Sequence, residues 1–197
     1  MKDRLIEDIL NKHSAFVTSK WIIERIPHIF NDNFEHYIDW KQQLSSLIGV
    51  DSKSIVFTGS SAAGISLNPE KNFKFYDDNS DVDVAIVSAH YFDVSWHYLR
   101  NIGTRIHSLN SKEKFAINDH RTRLIYWGTI ATDKIIQILP FGIDWIKAVD
   151  EMKKKDPTTD KEINFRIYKD FEALRAYQNN SIDKLKDNLL TPEKIYK

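Results

Sequence analysis

The stretch Ile55-Val56-Phe57-Thr58-Gly59-Ser60, followed after a polar segment by Ser80-Asp81-Val82-Asp83-Val84-Ala85-Ile86-Val87, decides the reading of this chain. The first part is a short β-rich run that stops on Gly-Ser, and the second alternates as a buried strand does. Side chains two apart on a strand point to the same face. Asp81 and Asp83 are therefore expected on one face, with Val82, Val84 and Ile86 turned into the core. Between the two runs, Ser61-Ala62-Ala63-Gly64-Ile65 can start a helix. The following loop, residues 68–80, carries the turn formers Pro69, Asn72, Asp77, Asp78 and Asn79.

Outward from this centre the chain reads as helical on both sides. Leu5, Ile6, Ile9 and Leu10 share one stripe, and further helical runs are expected over 19–26 and 31–47, with Pro27 as the break between them. Residues 92–109 read as a helix, 123–130 and 134–139 as two strands turning at Thr132-Asp133, and 160–188 as a closing helix. In that last run Phe165, Tyr168, Phe171, Leu174 and Tyr177 roughly follow the helical period. The expected class is α+β, a mixed sheet flanked by N-terminal and C-terminal helices. Its expected division is a helical segment over 1–50, a core over 51–150 and a C-terminal helical segment over 151–197.

Two carboxylates on one face repel each other when ionised, and a divalent cation between them relieves the repulsion. Mg²⁺ prefers carboxylate oxygen, water and substrate phosphate, and Mn²⁺ is the alternative. Asp-x-Asp alone is common. Here a Gly-Ser at the end of a neighbouring strand adds a close backbone approach for phosphate, so Gly59, Ser60 and Ser61 are candidates to hold a polyphosphate. Arg121 and Arg123, two apart before an expected strand, are candidates to bind a triphosphate or an acceptor.

The combined pattern, hydrophobic strand, Gly59-Ser60, helix, then Ser80-Asp81-Val82-Asp83-Val84, resembles the signature of the polymerase-β-like nucleotidyltransferase superfamily. The resemblance covers 55–141 and is nearest to small bacterial proteins of that kind, some of them in toxin–antitoxin or antiphage systems. It implies that Gly59 and Ser60 hold a nucleoside triphosphate, that Asp81 and Asp83 hold Mg²⁺ or Mn²⁺, and that a following helical region supplies cations such as Arg166 and Lys169 with the ring of Tyr168. It implies transfer of a nucleoside monophosphate, with release of pyrophosphate, to an acceptor: a nucleic-acid end, another nucleotide, a protein or a small molecule.

One position departs from that pattern. A third carboxylate is expected on a later strand before a proline, and in Ile135-Ile136-Gln137-Ile138-Leu139-Pro140 its place is taken by Gln137. Glutamine offers a metal an oxygen but carries no charge and takes no proton. Asp133 and Asp144 are substitutes, Asp133 being disfavoured because four residues of strand would put it about 13 Å from Gln137 at ~3.3 Å per residue. An alternative function follows: a catalytically silent nucleotide-binding or regulatory protein, acting through a partner protein.

Composition narrows the rest. Lys and Arg together number 28, as do Asp and Glu, so net charge gives no general case for nucleic-acid binding. There is no cysteine, which excludes disulfides and thiolate metal sites. No Gly-x-x-x-x-Gly-Lys-Ser/Thr loop and no Gly-x-Ser-x-Gly elbow occurs. The charged start, Met1-Lys2-Asp3-Arg4, does not read as a secretory signal, and no apolar run suits a membrane span. A cytoplasmic protein is the expectation.

Overall fold

The structure, a computed structural model, describes residues 1–191. It is mixed α and β, with a four-stranded sheet in the order β1-β2-β4-β3. The strands are β1 Ile55–Thr58, β2 Val82–Val87, β3 Thr129–Ala131 and β4 Ile163–Tyr168. Strand β1 runs antiparallel to β2, β2 parallel to β4, and β3 antiparallel to β4. The helices are α1 Lys2–Asn11, α2 Ser14–Thr18, α3 Phe34–Ile48, α4 Gly59–Ala63, α5 Ala89–Arg100, α6 Ser111–Asp119, α7 Gly142–Met152 and α8 Phe171–Leu190.

The sheet has two differently dressed faces. Val82, Val84 and Ile86 of β2 join Ile163, Phe165 and Ile167 of β4 in the main core, with Leu5, Ile9, Trp40, Leu44 and Trp145 from the helices. The opposite face carries Val56, Ala85 and Tyr168 and is closed by Leu174 of α8. This second face is only partly filled with apolar groups, and that leaves room there for polar side chains.

Three expectations are corrected. The run 123–130, read as a strand, begins as helix: α6 continues into a wide turn over His120–Leu124, and only Thr129–Ala131 pairs as strand. Buried His120 explains the continuation. Its Nε2 accepts from the Ala131 N–H at 3.0 Å, so its Nδ1–H donates to the Ala116 carbonyl at 2.6 Å, tying helix to strand. The run 134–139 is two 3₁₀ turns, Thr132–Lys134 and Ile136–Ile138, with Ile135 and Leu139 buried. Gly142 opens α7 so close to the second turn that a Cβ there would stand 1.7 Å from the Ile136 carbonyl oxygen. Finally, the segment beginning at 160 is not wholly helical, because it supplies β4, the central partner of β2. The expected C-terminal segment thus belongs partly to the sheet, and its last residues, 192–197, lie outside the described residues.

Candidate functional site

A cavity of about 420 Å³ lies on the α8 face of the sheet, at the end where β1 hands over to α4. Gly59 and Ser60 form one wall, Asp83 and Asn164 the floor, and Arg166, Tyr168 and Tyr177 the far side. The volume suits a small organic ligand.

Register explains the floor. Asp83 pairs with Asn164 and Ala85 with Arg166 across the parallel ladder. Paired residues share a face, so Asp83, Asn164 and Arg166 emerge together while their neighbours enter the core. Strand β1 brings Thr58 opposite Asp83, and the chain then turns sharply at Gly59, whose φ is +60°. A Cβ at Gly59 would meet the Asp83 Oδ2 at 2.5 Å. The glycine is thus required twice, for its backbone angle and for the closeness of the carboxylate. Ser60 faces the cavity. Ser61 does not: it is buried, and its hydroxyl donates to the Thr58 carbonyl at 2.9 Å, which secures the turn. Helix α4 is one short turn ended by Gly64 at φ +79°.

The electrostatics are unbalanced. Burial raises the pKa of Asp83 above the ordinary aspartate value, and the charges of Arg166 and Lys71 oppose that rise while Asp81 and Asp133 add to it. Arg166 donates to the Tyr177 hydroxyl at 2.6 Å, with its guanidinium carbon 5.1 Å from the Tyr177 ring centre. Among the described residues no carboxylate lies within 4.0 Å of it. A half-buried guanidinium whose fork is mostly unused is a ready site for a planar or tetrahedral oxyanion. Lys71 and Lys184 line the same cavity, so its rim carries further positive charge.

The loop 68–80 is a wall of this cavity rather than a bystander. Ser66, Leu67, Asn68, Pro69 and Lys71 line it, and the loop's base is held by a bridge between Ile65 and Phe75. Asp77 and Asp78 are exposed, Asp77 being paired with Lys74 at 2.8 Å.

Several predicted residues fall elsewhere. Asp81 is exposed just before β2, outside the cavity lining, although near enough for its charge to act on Asp83. Gln137 is exposed on its 3₁₀ turn and does not line the cavity. With the strand over 134–139 gone, the distance objection to Asp133 goes too, and Asp133 lines the cavity with Asp83 and Arg166. Arg166 is on β4 rather than on a helix, and Lys169 is exposed beyond it, its backbone N–H donating to the Gly128 carbonyl. Arg121 and Arg123 are exposed on the turn after α6; Arg123 forks onto Asp119 at 2.9 and 2.8 Å. Asp144 is exposed in the first turn of α7 and pairs with Lys147.

Sequence reading missed Lys71, Asn164, Tyr177, Gln178, Ser181 and Lys184 as cavity residues. A signal existed: Tyr177, Ser181 and Lys184 fall at i, i+4 and i+7, one stripe of α8. Among the described residues no group of three or more His, Asp or Glu side chains could hold a metal by itself. Mg²⁺ commonly takes one or two carboxylates and completes its shell with water and phosphate. Asp83 on the cavity floor fits that mode, and Asn164 adds a neutral oxygen donor, whereas Asp81 lies just outside the lining.

Comparison with protein families, with curated proteins and with solved structures returns no match. No helix among the described residues is long and apolar enough to cross a membrane.

Proposed function

We propose that this cavity binds a polyphosphate ligand with a divalent cation, the ligand's charge being received by Arg166, Lys71 and Lys184 and the cation by Asp83 with Asp81. The observation that carries the reading is the juxtaposition of Gly59-Ser60 with Asp83 on one wall and the unpaired Arg166 on the other. Within that class, the particular activity the site supports best is nucleotidyl transfer, by a Mg²⁺-dependent nucleotidyltransferase.

Bound there, Mg²⁺ would neutralise charge on the phosphates and on the departing pyrophosphate. The backbone at Gly59 and the Ser60 hydroxyl orient the phosphate chain, and Arg166 fixes its far end. Tyr177, half-buried on the cavity wall and backed by buried Tyr168, offers apolar ring surface to the nucleoside. An acceptor hydroxyl oxygen forms the new bond to the α-phosphorus while the bond from that phosphorus to the bridging oxygen breaks, and pyrophosphate leaves. The acceptor's proton passes to Asp133, the further carboxylate on the cavity wall, or to solvent.

A second reading, nucleotide binding without transfer, is favoured by Asn164, which sits opposite Asp83 in the ladder where a carboxylate would complete a metal site. One experiment separates the two. The protein is incubated with each NTP and dNTP in Mg²⁺ and in Mn²⁺, pyrophosphate is followed, and binding of the same nucleotides is measured by calorimetry. Release that disappears in Asp83→Asn supports transfer. Binding with no release under any condition supports the second reading, and neither binding nor release removes both.

A further inference from the structure

Outside the cavity, α6 and the turn after it present an aromatic and basic surface. Tyr126 is 86% exposed and Phe115 70% exposed, extreme values for rings of that size. Lys114 and Arg121, near them in the chain, are exposed; among the described residues neither forms an ion pair, although the Lys114 Nζ donates to the His107 carbonyl at 3.1 Å. The acidic groups of this stretch are already engaged. Glu113 closes a capping box with Asn110, and Asp119 is held by Arg123, with Lys134 4.0 Å away. Across 111–124 Lys112, Lys114, Arg121 and Arg123 outnumber Glu113 and Asp119, so the local charge is positive, although the chain as a whole is neutral.

This surface is continuous with the cavity. The Tyr126 ring stands edge-on to Trp127 with centroids 5.8 Å apart, Trp127 stands edge-on to Tyr177 at 6.4 Å, and Tyr177 lines the cavity and accepts from Arg166. A path of rings thus leads from solvent to the pocket, with Arg123 alongside. Aromatic faces interleaved with cations are what single-stranded nucleic acids use, bases stacking on the rings and phosphates lying against the cations.

We infer that the surface around Tyr126 and Trp127, with Arg121 and Arg123 on the preceding turn, binds single-stranded nucleic acid and leads its end toward the cavity, so that the acceptor is a nucleic-acid end. The binding stands by itself, whereas the acceptor role rests on the transfer reading above. A duplex is disfavoured, because stacking on Tyr126 and Trp127 needs unpaired bases.

The test measures fluorescence anisotropy of a labelled single-stranded oligonucleotide of roughly 12 nucleotides, as RNA and as DNA. It is run with EDTA and no nucleotide, so it is independent of catalysis. The expected result is binding that weakens with salt, by at least about tenfold in Tyr126→Ala and again in Arg121→Glu. Asp83→Asn should bind the oligonucleotide as the unaltered protein does. Both altered side chains on this surface are exposed, so folding is preserved and circular dichroism verifies it. No binding of either oligonucleotide, or binding indifferent to both substitutions, overturns the inference. Oligonucleotide binding without pyrophosphate release leaves the binding standing and removes the transfer reading together with the acceptor role.

Discussion

At the scale of single residues, Gly59 and Asp83 form one unit. Gly59→Ala forces a side chain into the left-handed region, at roughly 1–2 kcal/mol, and drives its Cβ against the Asp83 carboxylate. Chemical denaturation should show at least that loss, and nucleotide binding should fall with it. Asp83 itself works against stability. Its folded pKa is raised by burial, so the folded state holds a proton more tightly than the unfolded state does. Its contribution is favourable at low pH and is lost as pH rises through the folded value. Asp83→Asn should therefore raise the melting temperature at neutral pH while abolishing metal-dependent binding. The gain should be a few degrees, given about 2–4 °C per kcal/mol for a chain of this length. A melting curve that falls instead would mean that Asp83 is structurally paired. A destabilising carboxylate kept in a cavity is intelligible as a ligand for a cation.

At the scale of elements, the difference between what the sequence shows and what it hides has physical causes. Strand β2 and the Gly-Ser turn are legible because Val82, Val84 and Ile86 alternate with Asp83 and Ala85 while facing a hydrophobic core. Strand β4 has the same alternation in Ile163-Asn164-Phe165-Arg166-Ile167. It was hidden by α8 immediately after it, since Phe165, Tyr168 and Phe171 also fit a helical spacing. With β4 read as helix, the pairing of Asn164 with Asp83 is not legible in the sequence. The apolar run 134–139 misled in the reverse sense. Ile135 and Leu139 are buried from successive turns, a burial that tight turns achieve without any strand pairing. The junction between α6 and β3 depended on a long-range bond from His120 that no local pattern announces. That junction also makes a pH prediction. Burial lowers the His120 pKa below the ordinary value of 6.5. Its neutral form is required, so its contribution is complete above that value and is lost as pH falls toward the folded value. The urea midpoint should drop between pH 7.5 and pH 5.5. His120→Gln, which keeps a donor and an acceptor but does not titrate, should show a smaller drop; an equal drop would place the pH sensitivity elsewhere.

At the scale of the whole molecule, the site exists only when distant parts of the chain assemble. Its walls come from the β1–α4 turn, the loop after it, the turn at Asp133, strand β4 and helix α8. The N-terminal helices hold that assembly together. Leu5, Ile9, Val17 and Ile22 belong to the same buried core as Leu185 of α8. Arg175 of α8 donates to the Ser19 hydroxyl and to Glu24, each at 2.8 Å. This is why 1–50 does not behave as an appendage: it fixes the helix that closes the cavity.

The central claim is that this assembly presents a cation site and an oxyanion site facing one another. The most direct measurement is calorimetric titration of the protein with ATP and GTP, in Mg²⁺ and in EDTA, for the unaltered chain, Asp83→Asn and Arg166→Met. The account predicts Mg²⁺-dependent binding of at least one nucleotide, loss of the Mg²⁺ dependence in Asp83→Asn, and at least about tenfold weaker binding in Arg166→Met, the scale of a lost charge-assisted hydrogen bond. Binding unchanged in both variants, or absent from a folded unaltered protein, would contradict it.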